Sequence, residues 1–296
     1  METKLYTIET ADIRLTVSTH GAEPVGVLNK ATGAEMLWKG DPAVWNRHAP
    51  ILFPYTGKLT GGKMIAKGKE YPGGQHGFAR DYEHTVLTAE PRRLVLELRD
   101  NEQTRAVWPY AFVLRSTFTV EGKTVHHTLT VENPSEDSLQ FGIGYHPAFA
   151  FPFDDAHKTT DYEFQFDEME SPICTSAYPT GLLNGTCYYL ARNAAAIPLT
   201  DALFDTDSHC MVNLKSKTLS LVEKDTGRRI TCDIAQFPYT VIWSPAQKPL
   251  AFICIEPWHT TPGEENGPLE WEQRPCAACL QRGESWSTTL STTFDR

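Results

Sequence analysis

The chain has 296 residues, 41% of them hydrophobic, and a formal net charge of -10. That is enough apolar material for one large all-β domain or for two smaller domains, and the acidity argues against nucleic acid or an anionic membrane as partner. No run of about 18 apolar residues offers a membrane span, and the first 17 residues alternate polar and apolar side chains without a signal-peptide core, so the expected location is the cytoplasm.

Residues 5–8, 13–17 and 25–28 are short alternating or apolar runs, with turn residues such as Gly21 and Asn29 between or after them, which predicts strands. Residues 46–80 are loop-rich and carry Arg47, Lys58, Lys63, Lys67, Lys69 and Arg80 against a single acid, Glu70. Such a basic section in an acidic chain reads either as a solvated face or as the wall of a polar pocket. A pocket wall would centre on Gln75-His76-Gly77-Phe78-Ala79-Arg80, where glycine lets the backbone turn beside a histidine and an arginine. Strands are expected at 84–89 and 94–98, then a short helix at 101–107 that stops before Pro109. Strands at 110–120 and 124–131 flank a hairpin turn at Gly122-Lys123. The strand at 124–131 sends His126 and His127 to opposite faces, so the two rings cannot share a ligand.

The strand at 139–143 turns at Gly144 and presents Tyr145-His146-Pro147, where the proline biases His146 towards an extended conformation. An imidazole at a stiff strand end, ringed by Tyr145, Phe149 and Phe151, suits a general acid or base near neutral pH. It equally suits a buried histidine bonded to backbone at a bend. Further strands are expected at 162–166, 211–214, 219–223, 230–234, 240–244, 250–255 and 285–293. The run at 250–255 ends in Glu256-Pro257-Trp258, and residues 256–275 read as a long ordered loop. Loss of solvation would raise the pKa of Glu256 and make it a better base; the other reading is a structural pair with a nearby arginine.

About fifteen strands with short turns and hardly any helix indicate a large antiparallel β-sandwich, all-β in class and a single domain over residues 1–296. Seven cysteines, an odd count, give no disulfide framework. The pair Cys276 and Cys279 has no second pair at zinc-site spacing. No dinucleotide fingerprint, phosphate loop, H-E-x-x-H or G-x-S-x-G is present, so neither a cofactor nor a metal is expected.

Taken together, His76 in H-G-F-A-R, His146 in G-Y-H-P-A-F and Glu256 in C-I-E-P-W resemble, in order and spacing, the aldose 1-epimerase (galactose mutarotase-like) family. The match is closest to its branch of small cytoplasmic sugar epimerases. Residues 49–54, A-P-I-L-F-P, with Gly57 look like the family's first substrate-wall motif. The resemblance runs from Ile13 to the last strand. It implies the fold called a supersandwich, a sugar substrate, His146 as general acid at the ring oxygen and Glu256 as general base at the anomeric hydroxyl. It implies that His76 hydrogen-bonds and polarises the substrate, and that an acidic residue, Asp207 or its neighbour Asp205, holds sugar hydroxyls. Where the family commonly has arginine after the glycine of that motif, this chain has Lys58, which keeps the charge and loses the planar fork; Arg47 or Arg80 would supply it. Three functions remain in view: a mutarotase acting on a free aldose, a hexose-6-phosphate 1-epimerase, and a carbohydrate-binding protein without turnover.

Overall fold

Burial along the strands alternates with a period of two, and that alternation builds the molecule. In Thr124–Glu132, Val125, His127, Leu129 and Val131 are buried, while the residues between them are only partly so. A strand of this pattern has one face for a core and one for solvent. The computed structural model describes residues 2–295.

Two large antiparallel sheets carry the architecture. The nine-stranded sheet runs, edge to edge, through Ala194–Pro198, Tyr162–Glu170, Thr218–Glu223, Arg229–Asp233, Ser285–Asp295, Thr124–Glu132, Val113–Glu121, Arg93–Arg99 and Thr85–Glu90. The eight-stranded sheet runs through Cys187–Tyr189, Ile173–Thr175, His209–Val212, Tyr239–Trp243, Phe252–Trp258, Gly144–Tyr145 and Ile51–Leu52, with Ala148–Ala150 also paired to Phe252–Trp258. Leu5–Glu9, Ile13–Ser18 and Pro24–Asn29 form a smaller three-stranded sheet.

The main hydrophobic cluster extends from Ile8 to Phe294 and draws on both large sheets. Tyr145 ties the sheets together: its hydroxyl donates 2.8 Å to the carbonyl of His127 and lies 2.9 Å from that of Thr288. Hydroxyls pair across the outer face of the nine-stranded sheet, Thr124 with Thr293, Thr128 with Thr289 and Thr130 with Ser287. His127 points inward and stacks on Phe118, whereas His126 points outward to Ser291, the split that strand alternation requires.

The expected helix is Glu102–Val107, capped by Asn101, whose side chain accepts from the backbone of Gln103 and Thr104. The strand expected from 110 begins only at Val113, and the strand expected at 250–255 is Phe252–Trp258. It passes through Pro257 because the neighbouring ladder is interrupted there. Its partners pair as Ala148↔Cys254 and Gly144↔Trp258, and Pro147 and Pro257, which lack an N–H, fall between those pairs. Short strands such as Lys63–Ala66, Ala148–Ala150 and Ile173–Thr175 escaped the sequence pattern because three or four residues carry too little periodicity. No helix among the described residues is long and apolar enough to cross a membrane.

Tyr145→Phe removes the cross-sheet donor and leaves the packing. We expect urea unfolding to show a loss of about 1–2 kcal/mol with the far-UV spectrum unchanged; no loss would mean that the ring alone joins the sheets.

Candidate active site

The interrupted ladder creates the site. Carrying the register of Gly144↔Trp258 and Ala148↔Cys254 through the break sets His146 opposite Glu256. Alternation then turns both away from the core: Tyr145, Phe149, Ile253 and Ile255 belong to the central cluster, whereas Ala148, Phe252 and Cys254 pack on the other face of the sheet. This corrects one expectation. Tyr145, Phe149 and Phe151 do not ring His146: they lie an odd number of residues from it and pack into the central cluster on the other face. Trp45 stacks on it at 4.9 Å between centroids, and Trp243 and His76 meet it edge-on at 5.5 Å.

His146 and Glu256 form the floor of a cavity of about 380 Å³, with His76, Arg47, Lys58, Arg80, Asp207, Trp45, Trp243 and Trp258 among its lining residues. His146 Nε2 lies 3.3 Å from Glu256 Oε2, and the two side chains are only 8% and 2% exposed. Glu256 Oε2 and His146 Nδ1 have no hydrogen-bond partner. Burial, reinforced by the charge of Asp207, raises the Glu256 carboxyl well above its ordinary value. Burial and the nearby Arg80 and Arg47 charges push the His146 imidazole down to about 3. Burial therefore disfavours the charged form of each group. Glu256 has no arginine ion pair among the described residues, so the structural-pair reading of this carboxyl fails.

His76 is held by its own loop. Its Nδ1 accepts the Gly57 N–H at 2.9 Å, which puts the ring proton on Nε2. The Gln75 side-chain amide nitrogen lies 3.1 Å from that Nε2, so an Nε2–H donor requires the amide to turn its oxygen towards the ring. His76 and Gly77 are consecutive left-handed residues. At Gly77 a Cβ would come within 2.1 Å of the Phe53 carbonyl oxygen, so only glycine closes this turn. Burial, followed by the nearby His146, keeps the His76 imidazole well below its ordinary pKa. His76 is thus a neutral imidazole lining the cavity, its Nε2 side shared with the Gln75 amide.

The basic section divides. Arg47 pairs with Asp81 at 2.6 Å, Lys58 donates to the Thr180 carbonyl at 2.8 Å, and Arg80 donates to the Gln75 carbonyl at 2.7 Å. These three line the cavity. Lys63 and Lys67 instead pair with Glu70 and Asp137, and Lys69 lies over the Tyr71 ring; these three belong to the hairpin Lys63–Ala66 and Lys69–Pro72, outside the cavity. Arg80 is held down to about 10 by burial and by Arg47, and its Nε is unpartnered. Asp207 lines the cavity in a left-handed conformation, on a loop tied down where His209 Nε2 meets the Leu203 carbonyl at 2.6 Å. Asp205 pairs with Lys248 instead.

Sequence reasoning missed Trp45, Trp243, Ser208 and Cys254. Alternation along Tyr239–Trp243 could have found Trp243; Trp45 sits in a loop, held where its carbonyl accepts the Trp38 indole N–H, and leaves no pattern. Two clusters have metal-like composition, His146 with Cys254 and Glu256, and Asp154 with His157 and Glu223. In the second, Arg228 bonds both carboxylates.

An antiparallel β-sandwich with a polar acid–base pocket on the outer face of one sheet is the architecture of the galactose mutarotase-like enzymes. The aldose 1-epimerase family profile matches residues 4–293. Protein LacX (plasmid form) of Lactococcus lactis subsp. lactis is 33% identical over 277 residues, covering 89% of this chain and 92% of LacX. A galactose mutarotase related enzyme from Lactobacillus acidophilus superposes with a TM-score of 0.94 at 29% identity, covering 99% of this chain and 98% of the other. A galactose mutarotase-like protein from Lactobacillus casei ATCC 334 gives 0.90 at 30% identity, covering 98% and 99%. The chain belongs to the aldose 1-epimerase family and is an epimerase, an isomerase.

The two shifted groups give a signed test on stability. Folding raises the Glu256 pKa above 4.5, so the folded state holds the extra proton and stability falls as pH rises from 4.5. Glu256→Gln removes that loss, and its stability relative to wild type should grow with pH above 4.5. Folding lowers the His146 pKa from 6.5 to about 3, so stability rises with pH across that window. His146→Asn should gain relative to wild type below pH 6.5, most at the acid end. Urea titrations from pH 4 to 8 read both; parallel curves for wild type and variants would mean that neither group is shifted.

Proposed function

We propose that this enzyme interconverts the α and β anomers of a free aldose, with His146 and Glu256 as the proton-transfer pair. The observation that carries the reading is their 3.3 Å approach on the floor of a polar cavity. Opening a hemiacetal breaks the C1–ring oxygen bond, adds a proton to the ring oxygen and removes one from the C1 hydroxyl. The pair holds the one proton this needs, and a sugar whose ring oxygen and C1 hydroxyl face the two groups takes a proton from one and returns it to the other. The family resemblance makes His146 the donor and Glu256 the acceptor. The free site's neutral pairing carries the same number of protons in the other arrangement, and ring closure after rotation about C1–C2 exchanges the roles in any case. His76 Nε2–H serves as a donor to the substrate, Asp207 as an acceptor for hydroxyls, and the three tryptophans as apolar walls for the pyranose. No cofactor enters this scheme, and the cytoplasm is its proposed location.

A second reading, a hexose-6-phosphate 1-epimerase, is favoured by one observation: Lys58 and Arg80 line the cavity and, among the described residues, pair with no carboxylate. Two such cations suit a phosphate.

Magnetisation-exchange NMR on a panel of aldoses and hexose 6-phosphates tests both. Glu256→Gln and His146→Asn should each slow anomer exchange by ~10²–10⁴-fold, and the double variant should be little slower than the worse single one. Near-normal exchange in folded Glu256→Gln would rule the mechanism out. Lys58→Gln and Arg80→Gln should leave KM for free hexoses within a few-fold. Exchange confined to 6-phosphates, with KM raised at least tenfold in these variants, would transfer the conclusion to the second reading. Exhaustive chelation should leave the rate unchanged.

A further inference from the structure

We propose that the floor of this pocket is also a zinc site, in which His146, Cys254 and Glu256 capture the ion and silence the enzyme. Cys254 and Glu256 stand two apart on Phe252–Trp258, so both side chains leave the same face of the strand. The register places His146 opposite Glu256. One ligand atom from each of the three lies within 4.8 Å of the other two.

The spacing suits the ion. Two ligands bound at about 2.0–2.1 Å on a tetrahedral zinc are roughly 3.3 Å apart, and His146 Nε2 and Glu256 Oε2 are 3.3 Å apart. A modest approach of the Cys254 sulfur completes a facial set of one nitrogen, one sulfur and one oxygen. That donor set selects zinc over magnesium or calcium, which prefer oxygen alone. The fourth position opens into the cavity, where water or a sugar hydroxyl would complete the tetrahedron.

A second observation is independent of composition. Glu256 Oε2 has no hydrogen-bond partner, although its side chain is 98% buried, and proton transfer gives Cys254 no task. The other metal-like cluster lacks this quality, since Arg228 already occupies its carboxylates. A zinc ion at the floor would take the lone pairs that move protons to and from the sugar, so it inhibits and does not assist. The inhibition rests on the proposed epimerase mechanism; the binding rests on geometry alone.

The test uses the full chain with the exposed Cys187, Cys276 and Cys279 replaced by serine, compared with the same background carrying Cys254→Ser or, separately, Cys254→Ala. Zinc binding is followed by calorimetry, and cobalt serves as its optical stand-in. We expect one equivalent of zinc, a thiolate-to-cobalt charge-transfer band, and loss of the band with at least tenfold weaker zinc binding in both Cys254 variants. Zinc should slow anomer exchange at least tenfold in the background protein, reversibly on chelation, and within twofold in each variant, judged against its own zinc-free rate. Absence of stoichiometric binding, or equal binding with Cys254 replaced, would overturn the site. Stoichiometric binding with the band, in a protein that shows no anomer exchange even without zinc, would uphold the site and sink the functional reading instead.

Discussion

A carboxyl and an imidazole face each other 3.3 Å apart on the floor of a pocket, and among the described residues neither has any other ion-pair partner. Everything else about the site follows from how a β-sheet comes to hold such a pair. The register sets His146 and Glu256 side by side on the face of the sheet that lines the cavity. Pro147 and Pro257 remove the N–H groups that would close the ladder at that point, so the sheet keeps its register on both sides and opens in the middle. The apolar strand below the pair supplies burial, and burial pushes both groups towards their neutral forms. An isolated charge at that depth would cost far more than a neutral acid or imidazole.

The rest of the fold positions what surrounds the pair. Among the described residues the nine-stranded sheet supplies none to the cavity; it shares the central core with the eight-stranded sheet, whose other face lines the cavity. Tyr145 shows the division of labour within a dipeptide, because it bonds the opposite sheet while His146, the next residue, faces the cavity. The loops add the polar rim. His76 is fixed by the Gly57 N–H, Trp45 by the Trp38 indole, and the Asp207 loop by His209. Each is held by a hydrogen bond between a side chain and the backbone, the kind of support that keeps a site preorganised.

Much of this was legible in the sequence, for identifiable reasons. Long alternating strands such as Thr124–Glu132 write their period into the sequence, and the outward and inward faces of His126 and His127 follow from it. The His76, His146 and Glu256 motifs stand out because each joins a chemically active side chain to glycine or proline, which fix the local backbone. The company of His146 was not legible: sequence adjacency suggested Tyr145 and Phe149, and a strand sends adjacent residues to opposite faces. Nor was the split of the basic section, since a lysine paired in a surface hairpin and one facing a cavity look alike without tertiary contacts. Cys254 was hidden for the same reason, because its neighbourhood is made by residues 108 positions away in the chain at His146.

The central claim is that the free site holds one proton on the Glu256 carboxyl, beside a neutral His146. Infrared difference spectroscopy at neutral pH, wild type minus Glu256→Gln, reads this directly. The account predicts a protonated-carboxyl carbonyl band that shifts on deuteration and persists well above pH 4.5. A carboxylate band in its place, titrating as an ordinary glutamate does, would contradict it.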